Sequence, residues 1–104
     1  MATIDDWRKK IDKLDKRIVR LLNERAKDTG EIGKLKQKRG LDAYSPEREE
    51  EILRNVLKWN KGSLPTDVLR RLYERILDES RTLEREAIQD RKLKTHSGKQ
   101  NSPP

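Results

Sequence analysis

The stretch IDDWRKKIDKLDKRIVRLLNERAKDTGEIGKLK, residues 4–36, decides the fold. Its apolar residues Ile4, Trp7, Ile11, Leu14, Ile18 and Leu21 recur at spacings of three and four, and Ile32 and Leu35 resume the pattern further on. Side chains at that spacing share one side of an α-helix. No Pro interrupts the run and no Gly precedes Gly30, so the spacing predicts one long amphipathic helix from about Asp5 to Lys38. At 1.5 Å per residue it reaches roughly 50 Å, longer than a compact chain of this size is wide. Such a helix needs a partner to cover its ends. Gly30 and Gly33 each weaken it by about 1 kcal/mol relative to Ala, so packing must compensate there. Arg39-Gly40 reads as its stop.

Working outward, Ser45-Pro46 supplies an N-cap with Pro at the first helical position and Glu47 in the positive first turn, which predicts a second helix over about 46–59. Lys61-Gly62-Ser63 ends it. Leu64-Pro65-Thr66-Asp67 opens a third, whose apolar residues Val68, Leu69, Leu72, Tyr73, Ile76, Leu77, Leu83 and Ala87 keep helical spacing and fade near Asp90. There is no strand signal and no internal repeat. The expected architecture is all-α: three helices with a long first one, interlocked as a helical homodimer. Residues 1–90 form one domain, and residues 91–104 a basic polar tail expected to be disordered.

Composition excludes several classes of function. The 104 residues are 31% hydrophobic and 43% charged, too little apolar material for a large single-chain core, so self-association is the obvious remedy. With no Cys, disulfides, thiolate metal sites and cysteine nucleophiles drop out, and the lone His96 leaves histidine-based metal or acid–base chemistry without a basis. Catalysis must use carboxylates and cations. No stretch approaches the roughly 18 apolar residues of a membrane span, and the opening is acidic where a signal peptide is basic then apolar; a cytoplasmic protein is expected. The net charge of +7 falls to +4 for residues 1–89, a mild excess that suits nucleic acid or a small anion equally well.

Charged residues on the apolar seams carry more information, because a buried unpaired charge is costly and demands a partner. Continuing the first seam beyond Leu21 lands on Arg25 and Asp28, and at 100° per residue Arg25, Thr29 and Lys36 project into one sector. Arg8 lies seventeen residues from Arg25, about 100° around and roughly 25 Å along the axis, so only an antiparallel second copy brings both to one small ligand. On the second helix, the face of Ile52, Leu53, Val56 and Leu57 extends back to Arg48 and Glu49. On the third, Ser80 and Glu84 point inward together. Each has a plainer reading: Arg25 with Asp28 as a coiled-coil register pair, Lys36 and Arg8 as solvated, Arg48 with Glu49 as capping, Ser80 as a small residue at a crossing. Together they suit an enclosed site for a polyanionic ligand.

These residues resemble the all-helical (AroQ-type) chorismate mutases over about residues 5–88. The likeness rests on RKKIDKLD (8–15), LLNER (21–25), IGKLK (32–36), PERE (46–49), and DES (78–80) followed by Glu84. It implies a homodimer of interlocked three-helix chains that converts chorismate to prephenate, in phenylalanine and tyrosine biosynthesis, without cofactor or metal. By this resemblance Arg25 and Arg48 bind substrate carboxylates from one subunit and Arg8 reaches in from the other. Lys36 donates to the ether oxygen, Glu49 accepts from the ring hydroxyl, and Ser80 assists at a carboxylate. Glu84 holds the remaining ether-oxygen position, where many relatives have Gln; Glu donates only when protonated. Ser45 stands where some relatives carry Asp near the ring hydroxyl.

Two other readings compete. Pericyclic lyases that remove pyruvate from isochorismate share this fold and most of the cations, but resemble the chain poorly at Glu49. A nucleic-acid-binding dimer would use Lys9, Lys10, Lys13, Lys16, Arg17 and Arg20 as a phosphate-facing stripe. Asp12 and Asp15 pair naturally with that stripe as a solvated face, and no recognition-helix signature accompanies it, so neither nucleic acid nor membrane is expected as a partner. With no dehydratase, dehydrogenase or synthase domain attached, a monofunctional chain is expected.

Overall fold

The computed structural model describes the backbone of residues 1–96 and the side chains of residues 1–89. Three helices follow in order: α1 (Ile4–Arg39), α2 (Pro46–Trp59) and α3 (Thr66–His96). Helix α1 runs unbroken through Gly30 and Gly33, as the seam predicts. It starts at a capping box in which the Thr3 hydroxyl accepts the Asp6 N–H at 3.1 Å and the Asp6 carboxylate accepts the Thr3 N–H at 2.9 Å. Asp5 and Asp6 in the first turn and Lys36, Lys38 and Arg39 in the last complement the helix dipole.

Gly40 ends α1 in the left-handed region at φ 67°, where a Cβ is strained. Its N–H reaches the Gln37 carbonyl at 3.2 Å and the Leu41 N–H reaches the Lys36 carbonyl at 2.8 Å, a Schellman closure that turns the chain back beside the last turn of α1. That reversal places the Ala43 carbonyl 2.9 Å from Lys36 Nζ. Ser45 stands at the N-cap position of α2, but its side chain makes no capping bond, which corrects the expected hydroxyl cap. Ser45 lines a cavity instead, and the chain enters the helix through Pro46, whose fixed φ suits the first helical position. Helix α3 continues to His96, six residues past the expected fade near Asp90, because Arg91, Lys92, Leu93 and Lys94 are residue types of good helix propensity. The helix thus takes in residues 91–96 of the expected tail, and residues 97–104 lie outside the described residues.

Helix α3 packs against both α1 and α2. Gly33 sets the closeness of the α1–α3 contact: a Cβ there would lie 2.9 Å from the Ala87 Cβ and 3.0 Å from the Glu84 carbonyl oxygen, whereas one at Gly30 would meet nothing within 4 Å. The compensation that the sequence demands is therefore present at Gly33 alone. Gly33→Ala should lower the thermal midpoint relative to Gly30→Ala by several degrees, the combined result of overpacking and a helix-propensity gain common to both. Equal midpoints in parallel melts would refute the close-contact role.

Little of the chain is covered. Among the described residues the buried set is Thr29, Gly33, Ala43, Val56 and Leu77, and no large side chain is fully buried. The radius of gyration is 18.4 Å, against about 13 Å for a compact chain of this length. The whole N-terminal seam is bare, from 49% exposed at Leu14 to 70% at Ile4. A single large apolar patch of this kind marks an interaction surface.

Candidate active site

The C-terminal half of α1, the turn after it, the start of α2 and the middle of α3 enclose a cavity of about 400 Å³. Of the eight residues singled out from sequence, Arg25, Lys36, Ser45, Arg48, Glu49, Ser80 and Glu84 all line it. Asp28 and Thr29 complete the α1 wall, while Ile32, Ala43, Ile52 and Leu77 supply apolar surface. The shared sector of Arg25, Thr29 and Lys36 thus holds in three dimensions. Arg8 stands apart: its side chain is 73% exposed beside Asp5 at 3.9 Å.

Each polar group is held by a specific neighbour. The Arg25 guanidinium donates to the Ser80 hydroxyl, which in turn donates to the Ile76 carbonyl at 2.8 Å. Ser80 therefore orients Arg25 in addition to facing the cavity. Thr29, buried beneath them, donates to the Arg25 carbonyl at 2.9 Å and so spends its hydroxyl on α1 itself. Lys36 Nζ donates to the Ala43 carbonyl and lies 2.7 Å from Glu84 Oε1, with the two side chains only 20% and 14% exposed. Glu84 Oε1 is shielded from solvent, and the Lys36 ammonium supplies its counter-charge. Arg48 is the most open of the group and pairs with Glu51 at 2.5 Å one turn along α2.

One residue that the sequence reading passes over belongs to the site. Arg81, also on the cavity wall, donates through Nε and Nη2 to the two oxygens of Glu49 at 3.0 and 2.8 Å. That contact pushes the guanidinium's already high pKa further up, chiefly through the hydrogen bond itself. Along the chain Arg81 looks like an ordinary exposed partner for Asp78 three residues earlier. Nothing in the linear pattern indicates Glu49, thirty-two residues away on another helix.

Arg25, Lys36, Arg48 and Arg81 face Asp28, Glu49 and Glu84, and Glu49 is neutralised by Arg81. The arrangement can bind a small polyanion through planar guanidinium groups and can direct Lys36 and Glu84 at one atom of it. No cluster among the described residues has the makings of a metal site, and no described helix is long and apolar enough to cross a membrane.

Comparison with known proteins gives a consistent picture. The family described as chorismate mutase type II matches residues 7–85. The bifunctional chorismate mutase/prephenate dehydratase of Aquifex aeolicus is 40% identical over 89 residues, covering 82% of this chain and 25% of that protein. The T-protein of Haemophilus influenzae is 32% identical over 81 residues, covering 77% of this chain and 22% of its own length. The chain thus spans about a quarter of the length of these curated relatives. A solved chorismate mutase from Thermus thermophilus superposes with a TM-score of 0.76 at 39% identity, covering 79% of this chain and 93% of that one.

Proposed function

The chain belongs to the type II chorismate mutase family, and from that premise we propose that it converts chorismate to prephenate as a cytoplasmic homodimer. The observation that carries the proposal is the convergence of seven expected site residues on one cavity, with Lys36 and Glu84 side by side in its wall.

The rearrangement breaks the ether C–O bond and forms a C–C bond within one molecule, so no proton, electron or group has to come from outside. Catalysis consists of holding the dicarboxylate compactly folded and stabilising negative charge that grows on the ether oxygen. Arg25, steadied by Ser80, takes one carboxylate and Arg48 takes the other, exchanging its exposed Glu51 contact for a bidentate grip. Lys36 turns from Glu84 to the ether oxygen. Glu49 receives the ring hydroxyl through lone pairs left over from Arg81. The partner subunit's Arg8 adds a further cation. Support for the second copy is the bare seam of Ile4, Trp7, Ile11, Leu14, Ile18 and Leu21, together with the distance along α1 that keeps Arg8 from its own chain's cavity.

Glu84 differs from Lys36 in needing a proton before it can donate. Glu84→Gln supplies an amide N–H at the same place, so it should keep turnover, whereas Glu84→Ala should lower it. A Glu84→Ala variant as fast as wild type would remove Glu84 from the donor role.

The reaction itself is tested by loss of chorismate absorbance on adding the protein, with the product separated by chromatography. Prephenate is expected. Pyruvate and salicylate from isochorismate, with no prephenate from chorismate, would assign the site to a lyase instead.

A further inference from the structure

Arg81 and Glu49 form the best-made ion pair among the described residues. Two parallel N–H···O contacts, at 3.0 and 2.8 Å, engage both carboxylate oxygens and fix the plane of the carboxylate. The guanidinium is itself held on two further sides, by Asp78 Oδ1 at 3.2 Å on α3 and by the Tyr44 ring, whose centroid lies 4.9 Å from its central carbon. Arg81 thereby ties α3 to α2 and to the turn that carries Ala43, the acceptor for Lys36. The side chains of Arg81 and Glu49 are 22% and 23% exposed, whereas intrahelical pairs such as Arg75 with Glu79 are more than half exposed and serve as solvated surface charge.

We propose that Arg81 is a positioning residue for the rearrangement: it holds the Glu49 carboxylate in the orientation that receives the substrate's ring hydroxyl, and cancels the charge with which Glu49 would repel a dianion. The proposal rests on reading the cavity as a chorismate mutase site. Orientation and charge are separable contributions. A lysine at this position restores the charge but not the fork, because an ammonium cannot engage both oxygens in one plane.

The test is steady-state kinetics on chorismate with the full chain, each variant confirmed as folded by circular dichroism. Arg81→Leu should lower kcat/KM by about 10- to 100-fold, as a misplaced binding group does. Arg81→Lys should return KM to near its wild-type value and leave kcat depressed, a division that lost stability alone would not produce. In a Glu49→Gln background Arg81→Leu should cost less than about twofold more, because the residue it acts through has gone. The proposal is overturned if Arg81→Leu stays within twofold of wild type, or if its loss adds in full to that of Glu49→Gln. Should Arg81→Leu fail to fold, Arg81→Lys and its combination with Glu49→Gln decide the same question. Wild-type protein that leaves chorismate unchanged would overturn the function reading, and the positioning role with it; a failure confined to the Arg81 variants would leave that reading intact.

Discussion

Replacing Lys36 with Ala is expected to lower kcat by about 10²- to 10³-fold, the usual cost of removing one donor from a developing oxyanion. The ether oxygen gains charge only as the bond breaks, so a donor aimed at it stabilises the transition state more than the bound substrate. The loss should accordingly fall on kcat with a small change in KM. Lys36 also has a resting role, since its ammonium bonds the Ala43 carbonyl and lies 2.7 Å from Glu84 Oε1. Its removal leaves a shielded carboxylate without its counter-charge, which lowers stability as well. The double variant Lys36→Ala with Glu84→Gln separates the two effects: it should regain the thermal midpoint and stay as slow as Lys36→Ala. Recovery of turnover along with stability would mean that Lys36 is structural only.

Arg8→Ala is expected to be nearly as damaging, although Arg8 touches nothing in its own chain's cavity. Within one chain it is an exposed residue near Asp5, and such a contact contributes almost nothing to stability. An alanine there should leave the melting curve unchanged. If a second copy delivers Arg8 to a substrate carboxylate, the substitution removes a charge-assisted hydrogen bond, and kcat/KM should fall by about 10- to 100-fold with much of the loss in KM. An Arg8→Ala protein with wild-type kinetics would place the residue outside the site.

The helices were legible because local rules govern them. The 3–4 seam gave α1 its extent, Gly40 its stop and Pro46 the start of α2, each a matter of a few neighbouring residues. Local rules also explain the one misplaced end, since apolar periodicity thins after Ala87 while helix propensity does not, and α3 continues to His96. Six of the expected residues on the cavity wall were legible for a different reason: polar groups that interrupt apolar stripes are conspicuous, whereas the seventh, Ser45, came with the family resemblance. Arg81 was not, because it lies among the exposed charges of α3 and acquires meaning only when α2 brings Glu49 to it. The Ser45 hydroxyl differs from the expected cap on the same grounds, because local capping rules do not include the tertiary surroundings of the residue. Gly33 lay between the two cases: its cost to the helix was plain in sequence, but the Glu84 backbone pressed against it was not.

The most direct test of a chorismate mutase site completed by a second copy is to mix two impaired parents and assay them at chorismate well below KM. Arg8→Ala and Lys36→Ala chains, unfolded together and refolded, should form mixed dimers in which one site has both residues intact and the other has neither. About half the dimers are mixed and one site in each works, so prephenate formation should return to about a quarter of the wild-type rate. A rate no higher than the mean of the two parents would show that Arg8 does not cross to a partner's cavity, and would contradict the shared site.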